Sequence, residues 1–152
     1  MTELFYDYYD SPIGMIKVTA TNQYLIMCQF CSAREEKHPN SITELTCLQL
    51  EEYFTFRRCK FDIAYQAQGT LFQQEVWKKL AEIPYGKTFH YSDIARMLKK
   101  EKAVRAVAYA IGQNPLLIII PCHRVVGKDG TLHGYKAGIE RKQYLLDMEY
   151  PQ

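Results

Sequence analysis

Apolar and polar residues near the start of the chain fall into three short runs that are typical of β-strands. Residues 4–8, 15–20 and 24–30 are rich in aromatic and β-branched side chains. Turn-forming residues separate the runs, with Ser11-Pro12-Ile13-Gly14 between the first two and Thr21-Asn22 between the second and third. This spacing predicts an antiparallel meander of three strands.

The next segment changes from a two-residue period to a helical one. Ser41 and Glu44 match a Ser-x-x-Glu capping box, which predicts a helix start. The apolar positions that follow are spaced near 3.6 residues: Leu45, Leu48, Tyr53 and Phe54. Residues 60–65 then alternate again, which predicts a further strand. The first half of the chain is therefore predicted to be a small α+β unit.

From Gly69 the pattern is helical with short turns. Thr70 and Gln73 form a second capping box, and the apolar stripe behind it stops at Pro84-Tyr85-Gly86. Two more helices are predicted over residues 91–98 and 102–111, and a last one over 139–148.

Basic residues surround the short turn between the helices at 91–98 and 102–111. This arrangement is typical of a helix-turn-helix DNA reader, although αα-hairpins in packed cores share it. On a helical wheel the second helix directs Val104, Val107 and Ile111 to the core. The opposite face carries Arg105, Ala108 and Tyr109.

The most unusual local sequence is an apolar run at residues 116–120 that ends in Pro121-Cys122-His123-Arg124. It predicts a buried strand that delivers Cys122 to its end, because proline cannot continue a ladder. Such a thiol is either an inert core cysteine or a nucleophile. His123 and Arg124 favour the nucleophile, since neighbouring cations lower the pKa of a thiol.

A direct ion pair between Cys122 and His123 is not expected in an extended chain, where adjacent side chains point to opposite faces. A bend or a bridging water is needed for His123 to act as the base. The base also needs an acceptor to orient it. The later chain offers four candidates, and spacing alone does not choose among them: Asp129, Glu140, Asp147 and Glu149.

Five cysteines stand in a chain whose first residues lack the basic start and apolar core of a signal peptide. Reduced thiols are therefore expected rather than a disulfide framework. Cys28-x-x-Cys31 with His38 could supply three zinc ligands, but no second such pair completes the set. The alternative is two ordinary strand cysteines, and no metal site is predicted.

Composition places the chain among globular proteins of one domain or two small ones, with 152 residues, 47% of them hydrophobic and 24% charged. The longest apolar run, residues 116–120, is far short of the roughly 20 residues that cross a bilayer, so no membrane span is expected. Net charge is +2, but residues 1–68 carry 6 basic and 9 acidic side chains and residues 69–152 carry 13 and 8. A polyanion is therefore expected at the second half.

At Pro121-Cys122-His123-Arg124-Val125 the sequence resembles the O6-alkylguanine-DNA alkyltransferases, also called methylated-DNA–protein-cysteine methyltransferases. Further matching blocks follow one another in order along nearly the whole chain: residues 11–14, 83–87, 91–95 and 105–107, Asn114-Pro115, Gly134-Tyr135, Lys142, Leu145-Leu146 and Glu149. The resemblance implies an α/β (α+β) protein. Residues 1–68 would form a ribonuclease-H-like domain with an antiparallel sheet, and residues 69–152 a winged helix-turn-helix domain for DNA binding and alkyl transfer.

The resemblance also implies a reaction, in which the alkyl group on guanine O6, or on thymine O4, passes from DNA to Cys122. One chain would repair one base, because a thioether has no good leaving group and the thiol is not regenerated. No cofactor is implied. The expected partner of a monomeric chain is double-stranded DNA containing O6-alkylguanine, bound through the minor groove. The expected location is the cytoplasm and nucleoid of a prokaryote, or the nucleus of a eukaryote.

Site roles follow from the same resemblance. Cys122 would be the acceptor, His123 the water-mediated base, Glu149 the group that orients His123, and Asn114 the residue that holds the active-site turn. The guanine pocket would be completed by the remaining three groups: the Tyr135 hydroxyl as donor to N3, the Val125 carbonyl and the Lys136 amide.

The target base must leave the duplex to be reached. By resemblance Arg105 fills the gap, while Tyr91 and Ser92 contact the backbone beside the flipped nucleotide. The other residues expected at the DNA are Lys102, Ala108, Tyr109 and Lys128. Some members have two glycines at positions 108 and 109, and members that accept bulky benzyl groups have glycine where Ala137 stands.

Two other functions remain alternatives. One is a non-catalytic protein that binds alkylated bases, but proteins of that type replace the cysteine that Cys122 represents. The other is a Cys-His hydrolase of small esters, which would leave the basic helix pair unexplained.

Overall fold

A computed structural model describes residues 2–132 and 134–150, so Met1, His133, Pro151 and Gln152 lie outside the described part. The chain divides into two compact units, residues 1–68 and 69–152, and each has its own buried apolar side chains. No helix in the described ranges combines the length and the apolar character needed to span a membrane.

The first unit begins with the expected meander. Its strands are β1 (Phe5–Ser11), β2 (Gly14–Ala20) and β3 (Leu25–Phe30), antiparallel and adjacent in that order. All three predicted strands are confirmed, with shifted ends. The first turn is closed by Ser11, whose hydroxyl donates to the Gly14 carbonyl at 2.6 Å and accepts from the amide of Ile13 at 3.2 Å.

Helix α1 (Ser41–Phe54) packs on β1 and β2, but its cap differs from the prediction. The N-cap is Asn40, whose side chain accepts from the Thr43 amide at 2.9 Å while the Thr43 hydroxyl accepts from the Asn40 amide at 2.9 Å. The predicted Ser41–Glu44 capping box is wrong because asparagine caps as well as serine does and stands one residue earlier. The apolar stripe also differs, since Leu45 and Leu48 are exposed.

The predicted strand at residues 60–65 is wrong. The side chain of Gln49 donates to the Asp62 carbonyl at 3.1 Å and accepts from the Asp62 amide at 2.9 Å, so these backbone groups are bonded to a side chain rather than to a neighbouring strand. Only an isolated bridge between Tyr65 and Leu25 joins this segment to β3. The same bonds explain why a glutamine is buried on α1.

The second unit begins with α2 (Leu71–Leu80), and the Thr70–Gln73 capping box is confirmed. The indole of Trp77 is buried on this helix and donates to the Ala110 carbonyl at 2.8 Å. This bond fixes α2 against the helix that carries Ala110.

The helix-turn-helix consists of α3 (Tyr91–Met97) and α4 (Val104–Gly112), with a 3-10 turn at Glu101–Ala103 before α4. The second helix therefore starts two residues later than predicted. Its two faces are confirmed at four positions, since Val107 and Ile111 are buried and Arg105 and Tyr109 are exposed, whereas Val104 and Ala108 are both half-buried.

Two features complete the second unit. The short strands β4 (Phe89–His90) and β5 (Val125–Val126) pair in parallel, which the sequence pattern did not reveal. The last predicted helix is confirmed as α5 (Ile139–Glu149).

The apolar run at residues 116–120 folds as a buried turn, so the predicted strand is wrong. The Ile120 amide donates to the Leu116 carbonyl at 2.9 Å, and Ile118 has a φ of +73°. The Asn114 side chain spans the turn, donating to the Ile120 carbonyl at 2.8 Å and accepting from the Leu116 amide at 2.9 Å. Apolar periodicity cannot distinguish such a turn from a buried strand.

The residue after the C-cap of α1 generates a stability prediction. Phe56 has a φ of +62° and an exposed fraction of 69%, in a position where glycine is favoured. Replacing Phe56 with Gly should raise the free energy of unfolding by about 0.5–1 kcal/mol, because a left-handed conformation costs a residue with a β-carbon roughly 1–2 kcal/mol and the added chain entropy of glycine offsets only part of this. Equilibrium urea unfolding measures the change.

The matched control is Phe56→Ala, which removes the same ring but keeps the β-carbon. It should give little or no gain. Equal gains in both variants would show that the exposed ring, and not the backbone conformation, is the source of the effect.

Candidate active site

Cys122 opens a 3-10 turn, Cys122–Arg124, directly after Pro121. Its amide donates to the Ile120 carbonyl at 2.8 Å, and the residue is 4% exposed. The chain bends at these two residues instead of running extended, which is one of the two conditions under which His123 was expected to serve Cys122.

The buried position decides the charge state of the thiol. Burial raises the pKa of Cys122 to about 11, although a hydrogen bond from Asn114 and the charge of Lys142 act in the opposite direction. The expected lowering of this pKa by His123 and Arg124 is wrong: desolvation outweighs the nearby charges, and the Arg124 guanidinium bonds to a carboxylate instead. The resting thiol is protonated at neutral pH.

Lys142 is a buried cation beside the thiol that the reasoning from residue chemistry missed. Burial lowers the pKa of its ammonium to about 8, while the thiol of Cys122 acts to raise it. The sequence could have indicated this residue, because Lys142, Leu145 and Glu149 are spaced as on one face of a helix. All three are buried on α5.

Glu149 accepts hydrogen bonds from two neighbours in the Cys122–Arg124 turn. His123 Nε2 lies 2.8 Å from Oε2, and Arg124 reaches both oxygens, from Nε to Oε1 at 2.7 Å and from Nη2 to Oε2 at 3.0 Å. All three residues are buried. Of the four acceptors that spacing left open, Glu149 is the one that bonds to His123.

The electrostatics of this group define which nitrogen of His123 is basic. Burial alone would raise the pKa of Glu149, but hydrogen bonds and charges from His123 and Arg124 outweigh it and hold the pKa well below its usual range. Burial lowers the pKa of His123 despite Glu149. A carboxylate only accepts, so we infer that Nε2 carries the hydrogen. Nδ1 then keeps its lone pair, and no described protein atom bonds to it.

Two tyrosines are candidate groups of the base pocket, and Tyr91 is the one linked to the thiol and to Lys142. The Tyr91 hydroxyl lies 3.5 Å from Lys142 Nζ, and burial, followed by the charge of Cys122, raises its pKa, so this hydroxyl keeps its proton. Tyr135 is buried with its hydroxyl oxygen out of contact with solvent. Gly134 has a φ of +72° and lies close to Tyr91. A β-carbon added at Gly134 would be 3.6 Å from the Tyr91 hydroxyl oxygen.

The other predicted pocket residues have contrasting environments. Val125 is fully buried in β5, whereas Lys136 is exposed and its amide belongs to the segment that follows Tyr135. Ala137 is half-buried.

The residues expected at DNA lie mainly on the outside of the helix-turn-helix and the loop after β5. Lys102, Arg105 and Lys128 are exposed, and Tyr109 is 70% exposed one helical turn after Arg105. The half-buried members of the set are Tyr91, Ser92 and Ala108.

The zinc hypothesis gains no support from the geometry. Cys28 is buried in β3, and His38 Nε2 lies 2.9 Å from a Glu3 carboxylate oxygen with its ring stacked on Phe5. Within residues 2–132 and 134–150 no group of three or more His, Cys, Asp and Glu side chains could hold a metal ion.

Comparison with known proteins assigns both units. Residues 4–66 match the family model described as 6-O-methylguanine DNA methyltransferase, ribonuclease-like domain, and residues 71–150 match its DNA binding domain. A methylated-DNA–protein-cysteine methyltransferase of Haemophilus influenzae is 38% identical, covering 98% of this chain and 88% of that protein. One from Methanosarcina barkeri is 40% identical, covering 96% and 97%.

Solved structures agree. The crystal structure of Mycobacterium tuberculosis O6-methylguanine methyltransferase superimposes with a TM-score of 0.88 at 38% identity, covering 97% of this chain and 93% of that one. The structure of M. tuberculosis OGT in complex with DNA gives 0.87 at 40% identity, covering 95% and 91%. The predicted fold class, a ribonuclease-like α/β unit with an antiparallel sheet followed by a helical DNA-binding unit, is confirmed. This chain belongs to the 6-O-methylguanine DNA methyltransferase family.

Proposed function

We propose that the protein repairs DNA by moving the alkyl group of O6-alkylguanine, and of O4-alkylthymine, onto its own Cys122, once per chain. One observation carries the proposal: a buried thiol shares a three-residue turn with an imidazole whose basic Nδ1 is left open by the Glu149 bond. Family membership supports this methyltransferase activity and DNA as the partner.

The reaction balances without a cofactor. His123 Nδ1 accepts the thiol proton through a water molecule, and the sulfur attacks the alkyl carbon. The S–C bond forms as the C–O6 bond breaks, and a tyrosine hydroxyl gives its proton to guanine N3, so neutral guanine is the leaving group. The proton held by His123 then replaces, through solvent, the one that the tyrosine lost. The product is an S-alkylcysteine, so the chain is consumed.

Stabilisation of the transient thiolate falls to Asn114 and Lys142, the two side chains whose interactions lower the pKa of Cys122 against burial, together with the residue's own amide. Burial keeps the resting thiol protonated. The thiolate therefore forms only when a flipped base occupies the pocket, because the base takes up the negative charge as its bond to the alkyl group breaks. The Val125 carbonyl and the Lys136 amide are proposed to bind the guanine edge.

Two hydroxyls are candidates for the proton donor to guanine N3. The family resemblance points to Tyr135. The geometry favours Tyr91. Its hydroxyl keeps its proton and lies 3.5 Å from Lys142 Nζ, and it interacts electrostatically with Cys122. We therefore propose Tyr91 as the principal donor and Tyr135 as a wall of the base pocket.

The exposed face of α4 is the proposed DNA surface, entering the minor groove of a duplex with Arg105 in the place of the flipped base. Lys102 and Lys128 are proposed to neutralise phosphates, and Tyr91 and Ser92 to contact the backbone. The excess of positive charge in residues 69–152 supports this surface. A single chain carries the whole constellation, which fits a monomer acting wherever the cell keeps its DNA, in the nucleoid or the nucleus.

The alternatives fit less well. A non-catalytic binder of alkylated bases has no need of a nucleophile and an oriented base, both of which are present here. An ester hydrolase would use the thiol but leaves the exposed Arg105 of α4 and the basic residues of the turn before it without a purpose.

The main test uses duplex DNA whose single O6-methylguanine carries a labelled methyl group. We expect one label per chain, located on Cys122 by peptide mass spectrometry, and no transfer to Cys122→Ser. The exposed Cys59 is the internal control and should stay unlabelled. Label on a second cysteine, or repeated turnover by one chain, would refute the proposal, and tight binding without transfer would support the non-catalytic alternative.

The two tyrosines are separated by Tyr91→Phe and Tyr135→Phe, each of which removes one hydroxyl. We expect the single-turnover rate to fall by about 100-fold in Tyr91→Phe, the range of a general acid, and by less than tenfold in Tyr135→Phe. Phenylalanine keeps the ring through which Tyr91 is proposed to contact the backbone, so binding to unmodified duplex, measured at one salt concentration, should change little in either variant. The reverse order of rates would return the donor role to Tyr135.

The contribution of Tyr109 is tested by Tyr109→Ala, since an exposed ring one turn from Arg105 can pack on a sugar-phosphate edge. Binding to duplex DNA at fixed salt should weaken by about three- to tenfold, with transfer from free O6-methylguanine unchanged. Tyr144→Ala, which removes another exposed tyrosine of the second unit, is the control. Tighter binding by Tyr109→Ala would show that the ring obstructs the groove.

A further inference from the structure

Arg124 is a buried arginine for which the proposed reaction has no step. Two of its nitrogens bond to the Glu149 carboxylate, and the third, Nη1, donates to the Ile83 carbonyl at 2.7 Å. Its guanidinium carbon lies 5.7 Å from the centre of the Tyr85 ring. All three nitrogens therefore have partners, and the Glu149 carboxylate accepts from this one guanidinium at both oxygens and from the imidazole at Oε2.

The turn at residues 83–86 joins this arginine to the end of α5. The Tyr85 hydroxyl donates to the Met148 carbonyl at 3.4 Å. Gly86 has a φ of +83°, and a β-carbon on it would lie 3.3 Å from the Glu149 carbonyl. The turn that accepts from Arg124 thus also contacts the end of α5, through a hydrogen bond to Met148 and a close approach to the Glu149 backbone.

We propose that Arg124 is a positioning residue for alkyl transfer: by bonding both oxygens of Glu149 it keeps that group a carboxylate and keeps His123 neutral, with its proton on Nε2 and its lone pair on Nδ1. The effect on transfer rests on the proposed function, whereas the effect on the imidazole does not.

The physical basis is the charge balance of a buried group. Arg124 and Glu149 cancel, so His123 can remain uncharged in a place where burial disfavours a cation. Without Arg124, Glu149 and a neutral His123 would form a buried site with one net negative charge. A buried site with this charge tends to bind a proton. If the proton binds to Nδ1 of His123, that nitrogen can no longer accept the proton of the Cys122 thiol.

The sign of the pH effect follows from the groups that act on His123. Glu149 on α5 raises its pKa, whereas Arg124 and the ammonium of Lys142, also on α5, lower it. Removing Arg124 deletes one of the two cations, so the pKa of His123 should rise. Burial, the largest influence, still lowers the pKa, but a larger fraction of the ring would be protonated at neutral pH than in the wild type, and its basic form would be restored at higher pH.

The direct test is 15N NMR of the imidazole ring in the full-length chain, titrated from pH 5 to 9. In the wild type we expect His123 to be neutral with hydrogen on Nε2 at pH 7. In Arg124→Gln the titration midpoint should move up by at least one pH unit. Lys79→Gln removes a surface cation from the Lys79–Glu82 pair and should leave the midpoint unchanged.

Single-turnover transfer rates provide the second readout. The Arg124→Gln rate should fall by up to ~100-fold at pH 7, the contribution of a general base, and recover towards higher pH. Arg124→Lys restores the charge but cannot bond both oxygens, so His123 should stay neutral at pH 7 while the rate falls by about tenfold.

Each outcome decides the proposal. An unchanged His123 midpoint in Arg124→Gln overturns it, and so does a wild-type rate in Arg124→Lys, which remains a test if Arg124→Gln does not fold. A rate loss in Arg124→Gln that does not recover with pH would mean a structural role only. Failure of the proposed function is distinguishable, because the wild type would then transfer no label while the NMR titration still reports on His123.

Discussion

Glu149 is a carboxylate with 2% exposure at the last residue of a helix, and such a charge costs several kcal/mol to bury unless its oxygens are bonded to cations or donors. That requirement organises the second unit. It brings the end of α5 to the Cys122–Arg124 turn, and it brings the turn at residues 83–86 to Arg124. The nucleophile, its base and the group that orients the base thus owe their common location to one buried charge.

Asn114 performs the equivalent task for the backbone. The apolar turn at residues 116–120 is buried, so its amides and carbonyls cannot bond to water. The Asn114 side chain satisfies a group at each end of the turn, and its interaction with Cys122 acts to lower the pKa of the thiol against burial. The position of the nucleophile therefore depends on the same side chain that closes the turn ahead of it, and Ile118 adopts its left-handed conformation within this closed turn.

The reactive groups of the second unit are buried, whereas its proposed DNA contacts are exposed. The reactive groups lie in the interior, where a thiol stays protonated and a neutral imidazole is favoured. The proposed DNA contacts lie on the outer face of α4, where Arg105 and Tyr109 meet solvent. Because α4 is amphipathic, its inner face with Val107 and Ile111 anchors the helix in the core while its outer face is free to contact a ligand.

Features that depend on neighbours within one or two turns of chain were readable from the sequence. These are the three-strand meander, the Thr70 cap and the two faces of α4, each of which follows from local periodicity or capping chemistry. The adjacency of Cys122 and His123, and the family resemblance that pointed to Glu149, also came from residues alone.

Features that depend on residues far apart in the chain required the folded structure. The side chain of Gln49 bonds to the backbone of Asp62, 13 residues away, so a strand does not form there. The contact of Glu149 with His123 joins residues 26 positions apart. The pKa of Cys122 moved opposite to expectation for the same reason: the sequence shows which charges are adjacent, whereas desolvation depends on everything that packs around the thiol.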